Sequence, residues 1–226
     1  MPMDHRDVLY EDNHLLIVNK PSSLLVQGDA TGDKTLADEA KEYIKRKYNK
    51  PGDVFLGIVH RLDRPVSGAV VLARTSKGLE RMNKLFKNRE VEKVYWAITR
   101  HQPPLTTDEI THWLKKNTKI NKTTAFNKKV NEGLKATLSY RLTGRVGDYY
   151  LLEVKPETGR PHQIRVQLAK IGCPIVGDLK YGDIKANKDG RIDLHSRGLS
   201  FNHPVKNEPV RITAQVPKDQ IWGLFK

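Results

Sequence analysis

Hydrophobic positions along this chain switch between strand and helix periods in an irregular order. Residues 8–21 read as strand, turn, strand: Val8-Leu9-Tyr10 and Leu15-Leu16-Ile17-Val18 flank Asp12-Asn13, and Pro21 ends the second strand. Thr35-Leu36-Ala37-Asp38 opens a helix with a capping-box pattern, and Leu36, Ala40, Tyr43 and Ile44 follow at helical spacing. Residues 54–59 predict a strand. Ala69 to Ala73 is a continuous apolar run, as expected of a strand buried on both faces. Ser76 is the expected cap of a helix with Leu79, Met82, Leu85 and Phe86 inward. Residues 91–99 alternate as a strand, which sets Lys93, Tyr95 and Ala97 on one side and Val94, Trp96 and Ile98 on the other. Residues 136–142 and 149–154 return to strand patterns. A short helix fits residues 162–171, stopped by Gly172, and two strands follow near 199–201 and 210–214. Many strands with few helices predict an α+β or mixed α/β domain rather than a doubly wound one.

Residues 100–135 differ. Periodicity weakens, and Lys115, Lys116, Lys119, Lys122, Lys128, Lys129 and Lys135 accumulate with only Glu132 as an acid after Glu109. The segment reads as a basic insertion or long surface hairpin at about 101–135. A solvated face and a phosphate-contacting arm are the alternatives, and the one-sided charge favours the second.

Composition sharpens that picture. The 226 residues suffice for one sizeable domain, and 38% hydrophobic content supports a core. A net charge of +14 favours a polyanionic partner, nucleic acid first, although basicity for solubility gives the same number. The lone Cys173 excludes an intrachain disulfide and a cysteine metal site. The first seven residues have no apolar signal-peptide core, and no apolar run approaches the ~20 residues that span a bilayer. A cytoplasmic protein without a membrane segment is the expectation. The eight histidines form no HExxH-type spacing, and Ser67-Gly68 lacks the G-x-S-x-G elbow of hydrolases.

Charge and chemistry meet at His60-Arg61-Leu62-Asp63-Arg64-Pro65-Val66-Ser67-Gly68, just ahead of the apolar run. A turn leading into a buried strand would leave Asp63 at the rim of a core, on rigid backbone but open to a ligand. An aspartate that only fixes a loop or caps a helix fits the same residues. The stretch resembles the HRLD-x-x-(T/S)-G signature of the RluA family of RNA pseudouridine synthases, with Val66 where Thr is frequent. Lys93-Val94-Tyr95-Trp96-Ala97 resembles the family's K-x-Y-x-A motif. Residues 159–182, from Gly159-Arg160-Pro161-His162-Gln163-Ile164-Arg165 to Tyr181-Gly182, resemble its GR-x-HQIR-x-H…PI-x-GD-x-x-YG pattern, with Gln167 for the second histidine. Residues 194–204 and Asn19-Lys20-Pro21 also match, with Ser23 for a usual glycine.

The resemblance covers nearly the whole chain. It implies a single catalytic domain over residues 1–226, without the small S4 RNA-binding domain of some relatives. It implies a mostly antiparallel, bent sheet with flanking helices and a central cleft. Asp63 would be the catalytic carboxylate, Arg165 its ion-pair partner that keeps it charged, and Tyr95 the stacking tyrosine. Arg61 would fill the space left by a flipped base or hold a phosphate. His60, Arg64, Lys93 and Arg160 join Lys115, Lys116, Lys119 and Lys122 as expected RNA contacts. The implied activity is isomerisation of uridine to pseudouridine in ribosomal or transfer RNA, by a monomer with no cofactor and no metal. A non-catalytic RNA-binding or ribosome-assembly protein with a vestigial site is the competing reading. Intact Asp63, Tyr95 and Arg165 speak against it.

Overall fold

One carboxylate builds the first turn. Asp12 Oδ1 accepts the backbone N–H groups of His14 and Leu15, both at 2.8 Å, an Asx-type closure. It joins β1 (Val8–Glu11) to β2 (Leu15–Lys20) in an antiparallel pair. The computed structural model describes residues 3–29 and 32–225. The chain folds as two compact units, each from separate segments: 1–92 with 196–216, and 93–195 with 217–226.

In the first unit, β2 pairs with β4 (Ser67–Ala73) from Leu15 against Ala73 to Lys20 against Gly68. All seven residues of β4 are buried, as its unbroken apolar run requires. The expected strand at 54–59 shrinks to β3 (Gly57–Ile58), which meets β4 only at Ala73 and Leu72. Elsewhere β4 is flanked by β10 (Leu194–Asn202), which forms a hairpin with β11 (Pro209–Thr213). That approach is close. A Cβ on Gly68, whose φ is +116°, would lie 2.4 Å from the Ser196 carbonyl oxygen. Only glycine satisfies both the space and the dihedral there.

Two helices complete this unit. In α1 (Leu36–Lys47), the Thr35–Asp38 capping box forms as the sequence predicts, and Leu36, Ala40, Tyr43 and Ile44 are buried. For α2 (Ser76–Lys87), the cap is Thr75 rather than Ser76. The Thr75 hydroxyl accepts the Gly78 N–H at 3.0 Å, which is the third-residue geometry an N-cap needs. Leu15, Ile17, Val71, Met82, Leu199 and Phe201 form the centre of the core.

The second unit contains β5 (Glu92–Thr99), β6 (Thr107–Asn117), β7 (Lys122–Phe126), β8 (Leu134–Val146) and β9 (Tyr149–Pro156), hydrogen-bonded in the order β5-β9-β8-β6-β7. Its helix is α3 (Gln163–Lys170). Each pairing within this unit is antiparallel, and the fold is mixed α/β with three α-helices among the described residues. The weakly periodic segment is a true hairpin, β6–β7. Its β6 runs along β8 from Thr107 against Arg141 to Leu114 against Leu134. The inward positions include His112 and Thr123 beside Ile110 and Leu114. Polar residues facing inward are what blurred the alternation.

Candidate active site

Asp63 stands at the start of a turn. Its carbonyl accepts the Val66 N–H at 3.0 Å, and its side chain is half-buried between the buried Leu62 and Val66. The turn is braced from several sides within the first unit. His60 Nε2 lies 3.0 Å from the Val71 N–H and accepts it, which places the ring proton on Nδ1. The same imidazole stacks on Phe86 at 4.8 Å. Arg64 clasps the facing loop: its carbonyl accepts the Ser23 N–H at 2.8 Å, its Nε donates to the Ser23 carbonyl at 3.2 Å, and its guanidinium meets Asp33 at 2.9 Å. His60 and Arg64, expected as RNA contacts, thus also hold the turn together.

Lys20 is the residue beneath this arrangement that sequence reasoning passed over. It is fully buried, and Nζ donates to the carbonyls of Pro21 at 2.9 Å, Leu24 at 2.8 Å and Arg64 at 3.3 Å. Three acceptors match the three protons of an ammonium. Burial pushes its pKa down to about 7, and the Asp63 charge opposes that. The only signal in the sequence was its place in Asn19-Lys20-Pro21. Nothing local reveals that it reaches Arg64.

The second unit holds the other expected residues. Tyr95 lies on β5 opposite Val154 and is half-buried, as is Lys93. Arg165 is on α3, which is buried from Gln163 to Leu168. Its Nε and Nη2 donate to the two oxygens of Asp178 at 2.7 and 2.9 Å, a fork-on-fork pair out of solvent. This partner was not foreseen, although Asp178 stood in the matched motif. Tyr181 was missed as well. The Arg165 guanidinium lies 5.1 Å from its ring centre, and Lys122 of the hairpin lies 6.0 Å from it. Tyr181 Oη accepts the Thr123 N–H at 2.9 Å and lies 2.6 Å from His162 Nδ1. The basic hairpin is therefore tied to the helix that carries Arg165.

The remaining predicted positions are mostly exposed. Lys116, Lys119 and Lys122 are open to solvent, and Lys115 pairs with Glu132 at 2.8 Å. Arg160 Nε donates to the Lys135 carbonyl at 3.2 Å. Arg61 is exposed, with Nη1 3.4 Å from Gln27 Oε1. Gln167, in place of the family's histidine, is fully buried. Its amide nitrogen donates to the carbonyls of Ile110 at 3.3 Å and Ala136 at 3.2 Å, and lies 3.1 Å from His112 Nδ1. The substitution pins α3 to β6 and β8. Among the described residues, no group of three His, Cys, Asp or Glu side chains could hold a metal ion, and no helix is long and apolar enough to cross a membrane. Cys173 is buried, which pushes its thiol up to about 11.

A family model described as RNA pseudouridylate synthase matches residues 14–170. The chain is similar to ribosomal large subunit pseudouridine synthase D of Xanthomonas campestris, 33% identical over 230 residues, which take in 94% of this chain and 66% of the relative. It is also similar to tRNA pseudouridine synthase C of Pectobacterium carotovorum, 30% identical over 235 residues, with 96% of this chain and 60% of the relative covered. Among solved structures, human RNA pseudouridylate synthase domain containing 4 has a similar fold: TM-score 0.78, 25% identity, 94% of this chain and 89% of that chain covered. The chain spans just under two thirds of the length of the two curated relatives.

Proposed function

Because the chain belongs to the RNA pseudouridylate synthase family, we propose that it isomerises specific uridines to pseudouridine in structured RNA, ribosomal or transfer. The observation that carries the reading is the braced turn that presents Asp63, half-buried, at the head of a fully buried strand. The reaction breaks the bond between uracil N1 and ribose C1′, turns the base, and joins C5 to C1′. The proton on C5 leaves and N1 gains one, so nothing is oxidised and nothing is hydrolysed. Such a step calls for a carboxylate near a sugar carbon that becomes electron-poor, as in glycoside hydrolysis.

Asp63 is the group assigned to that work, on the sugar or on the uracil. Tyr95 offers a flat face for the base, which must leave its stack to be reached. Arg165 supplies the positive charge that favours an ionised carboxylate. The exposed lysines of β6–β7, with Lys93 and Arg160, contact phosphates, and recognition depends on loop shape and splayed bases. Support for RNA as the partner comes from the net charge of +14 and from the similarity to relatives named as ribosomal large subunit and tRNA pseudouridine synthases. We assign the protein to the cytoplasm and to action as a monomer.

The test is tritium release from RNA labelled at uridine C5, with and without Asp63→Asn. The variant removes charge and little volume. It should lose about a thousandfold or more in rate, while gel-shift affinity for the same RNA stays near wild type. Substantial residual release would remove Asp63 from the chemistry. Pseudouridine maps of cells with and without the gene would name the RNA. An unchanged map in cells that normally express the protein would favour the non-catalytic reading.

A further inference from the structure

A pocket of about 390 Å³ opens in the first unit beside the Asp63 turn. That volume falls within the range of small-molecule sites. Its wall is mostly polar: Gln27, His60 and Arg61 line it together with Leu56, Ile58 and Val59. Among the described residues, none that lines it is a carboxylate. The catalytic reading above leaves this pocket unused.

Its walls are held in place. His60 is fixed by the Val71 N–H and by Phe86. Ile58 belongs to β3, paired with Leu72. Gln27 follows two residues anchored to α1: the Leu36 N–H donates to the Leu25 carbonyl at 2.7 Å, and the Ala37 N–H donates to the Val26 carbonyl at 3.3 Å. The site therefore needs little ordering before a ligand arrives.

We infer that this pocket holds the base of a nucleotide adjacent to the target uridine, and that Gln27 with Arg61 reads its identity. The inference rests on the proposed function. Arg61 precedes Asp63 by two residues, so their backbones are at most about 7 Å apart. A strand with its uridine at Asp63 brings a neighbouring nucleotide to Arg61. Aliphatic side chains interleaved with an amide and an arginine suit a flat base with polar edges better than a phosphate, for which Arg61 is the one permanently charged group among the described lining residues. Gln27 Oε1 accepts a hydrogen bond from Arg61 Nη1 at 3.4 Å. The Gln27 amide N–H groups and the rest of the guanidinium fork are then donors. Adjacent donors match a base edge with two acceptors, which guanine offers at O6 and N7 and adenine does not.

The test uses the purified full chain and synthetic stem-loops that carry the mapped uridine, with each of the four bases at each flanking position. Wild type should prefer guanine at one flank by about tenfold in kcat/KM over adenine. Gln27→Ala should bring that ratio close to one, and because Gln27 is exposed, the variant should fold normally. Two results would overturn the inference. One is wild-type indifference to both flanks. The other is a Gln27→Ala loss that is equal for all flanking bases, which would mark a phosphate contact. A wild-type protein that forms no pseudouridine on any stem-loop, with a cellular map unchanged by gene loss, would instead refute the catalytic reading on which the inference rests.

Discussion

Lys20 in the first unit and Arg165 in the second are both buried cations, and different groups hold them. Lys20 donates hydrogen bonds to three backbone carbonyls, and the Asp63 charge opposes the effect of burial on it. Arg165 is gripped by both oxygens of Asp178. A carbonyl offers a dipole, whereas a carboxylate offers a full charge. An ammonium surrounded by dipoles can lose its proton when burial is severe. A guanidinium in a carboxylate fork stays charged at any pH at which the protein is folded. The first site is therefore electrostatically soft and the second is hard.

The hard site should fail most severely when it is cut. Asp178→Asn keeps the size of the side chain but removes the charge and turns one acceptor into a donor that faces the Arg165 fork. Breaking a buried pair from one side costs about 3–5 kcal/mol. Urea unfolding should show that loss, and Lys122 and Thr123 should exchange amide protons faster, because Tyr181 lies against Arg165. A loss under about 1 kcal/mol would mean that other contacts hold Arg165 and that Asp178 is incidental.

The soft site should show itself through pH. Lys20 titrates at about 7 in the folded protein, below its ordinary 10.5, because burial disfavours its charge. The folded state therefore releases this proton first as pH rises. Below pH 7 both states are charged, and the penalty for burying the charge is present in full. Between 7 and 10.5 only the unfolded chain keeps the proton, so this group's contribution to stability rises with pH, by about 1.4 kcal/mol per pH unit. Lys20→Met cannot titrate. Unfolding curves of the two proteins from pH 7 to 9 should diverge in favour of wild type with that slope. Parallel curves would show that the carbonyls keep Lys20 charged throughout, which would make it as hard as Arg165.

The same contrast explains what was legible in the sequence. Local signals were readable because their cause is local. The Thr35–Asp38 box, the apolar run of β4 and the Gly172 stop each depend on a few neighbouring residues, and each formed. The Thr75 cap was misplaced by one residue because two adjacent hydroxyls compete and only the geometry chooses. The site residues came from motif resemblance, which named Asp63 and Arg165 but not what braces them. Lys20 reaches Arg64 across 44 positions, and Gln167 reaches Ile110 across 57. No periodicity encodes such a contact. Residues 100–135 hid their strands for a related reason: Thr123 and His112 occupy inward positions where a pattern search expects apolar side chains.

The smallest effect concerns the loop that Lys20 and Arg64 hold. Ser23 stands where relatives resembled by this chain usually have glycine, and its φ is 69°, in the left-handed region. A side chain there costs about 1–2 kcal/mol, since Cβ crowds the backbone carbonyl. Glycine would remove that strain but would also free the unfolded chain, which returns about 0.4–1 kcal/mol. The Ser23 N–H bond to the Arg64 carbonyl belongs to the backbone and survives the change. Ser23→Gly should therefore stabilise the protein by about 1 kcal/mol or less, read as a rise of about 2–4 °C in Tm. It should do so without altering the pH slope attributed to Lys20. A lower Tm would show that the Ser23 hydroxyl contributes more than its backbone strain costs. The loop would then be braced by the Ser23 hydroxyl as well as by Arg64, and the soft site would be firmer than its dipoles alone make it.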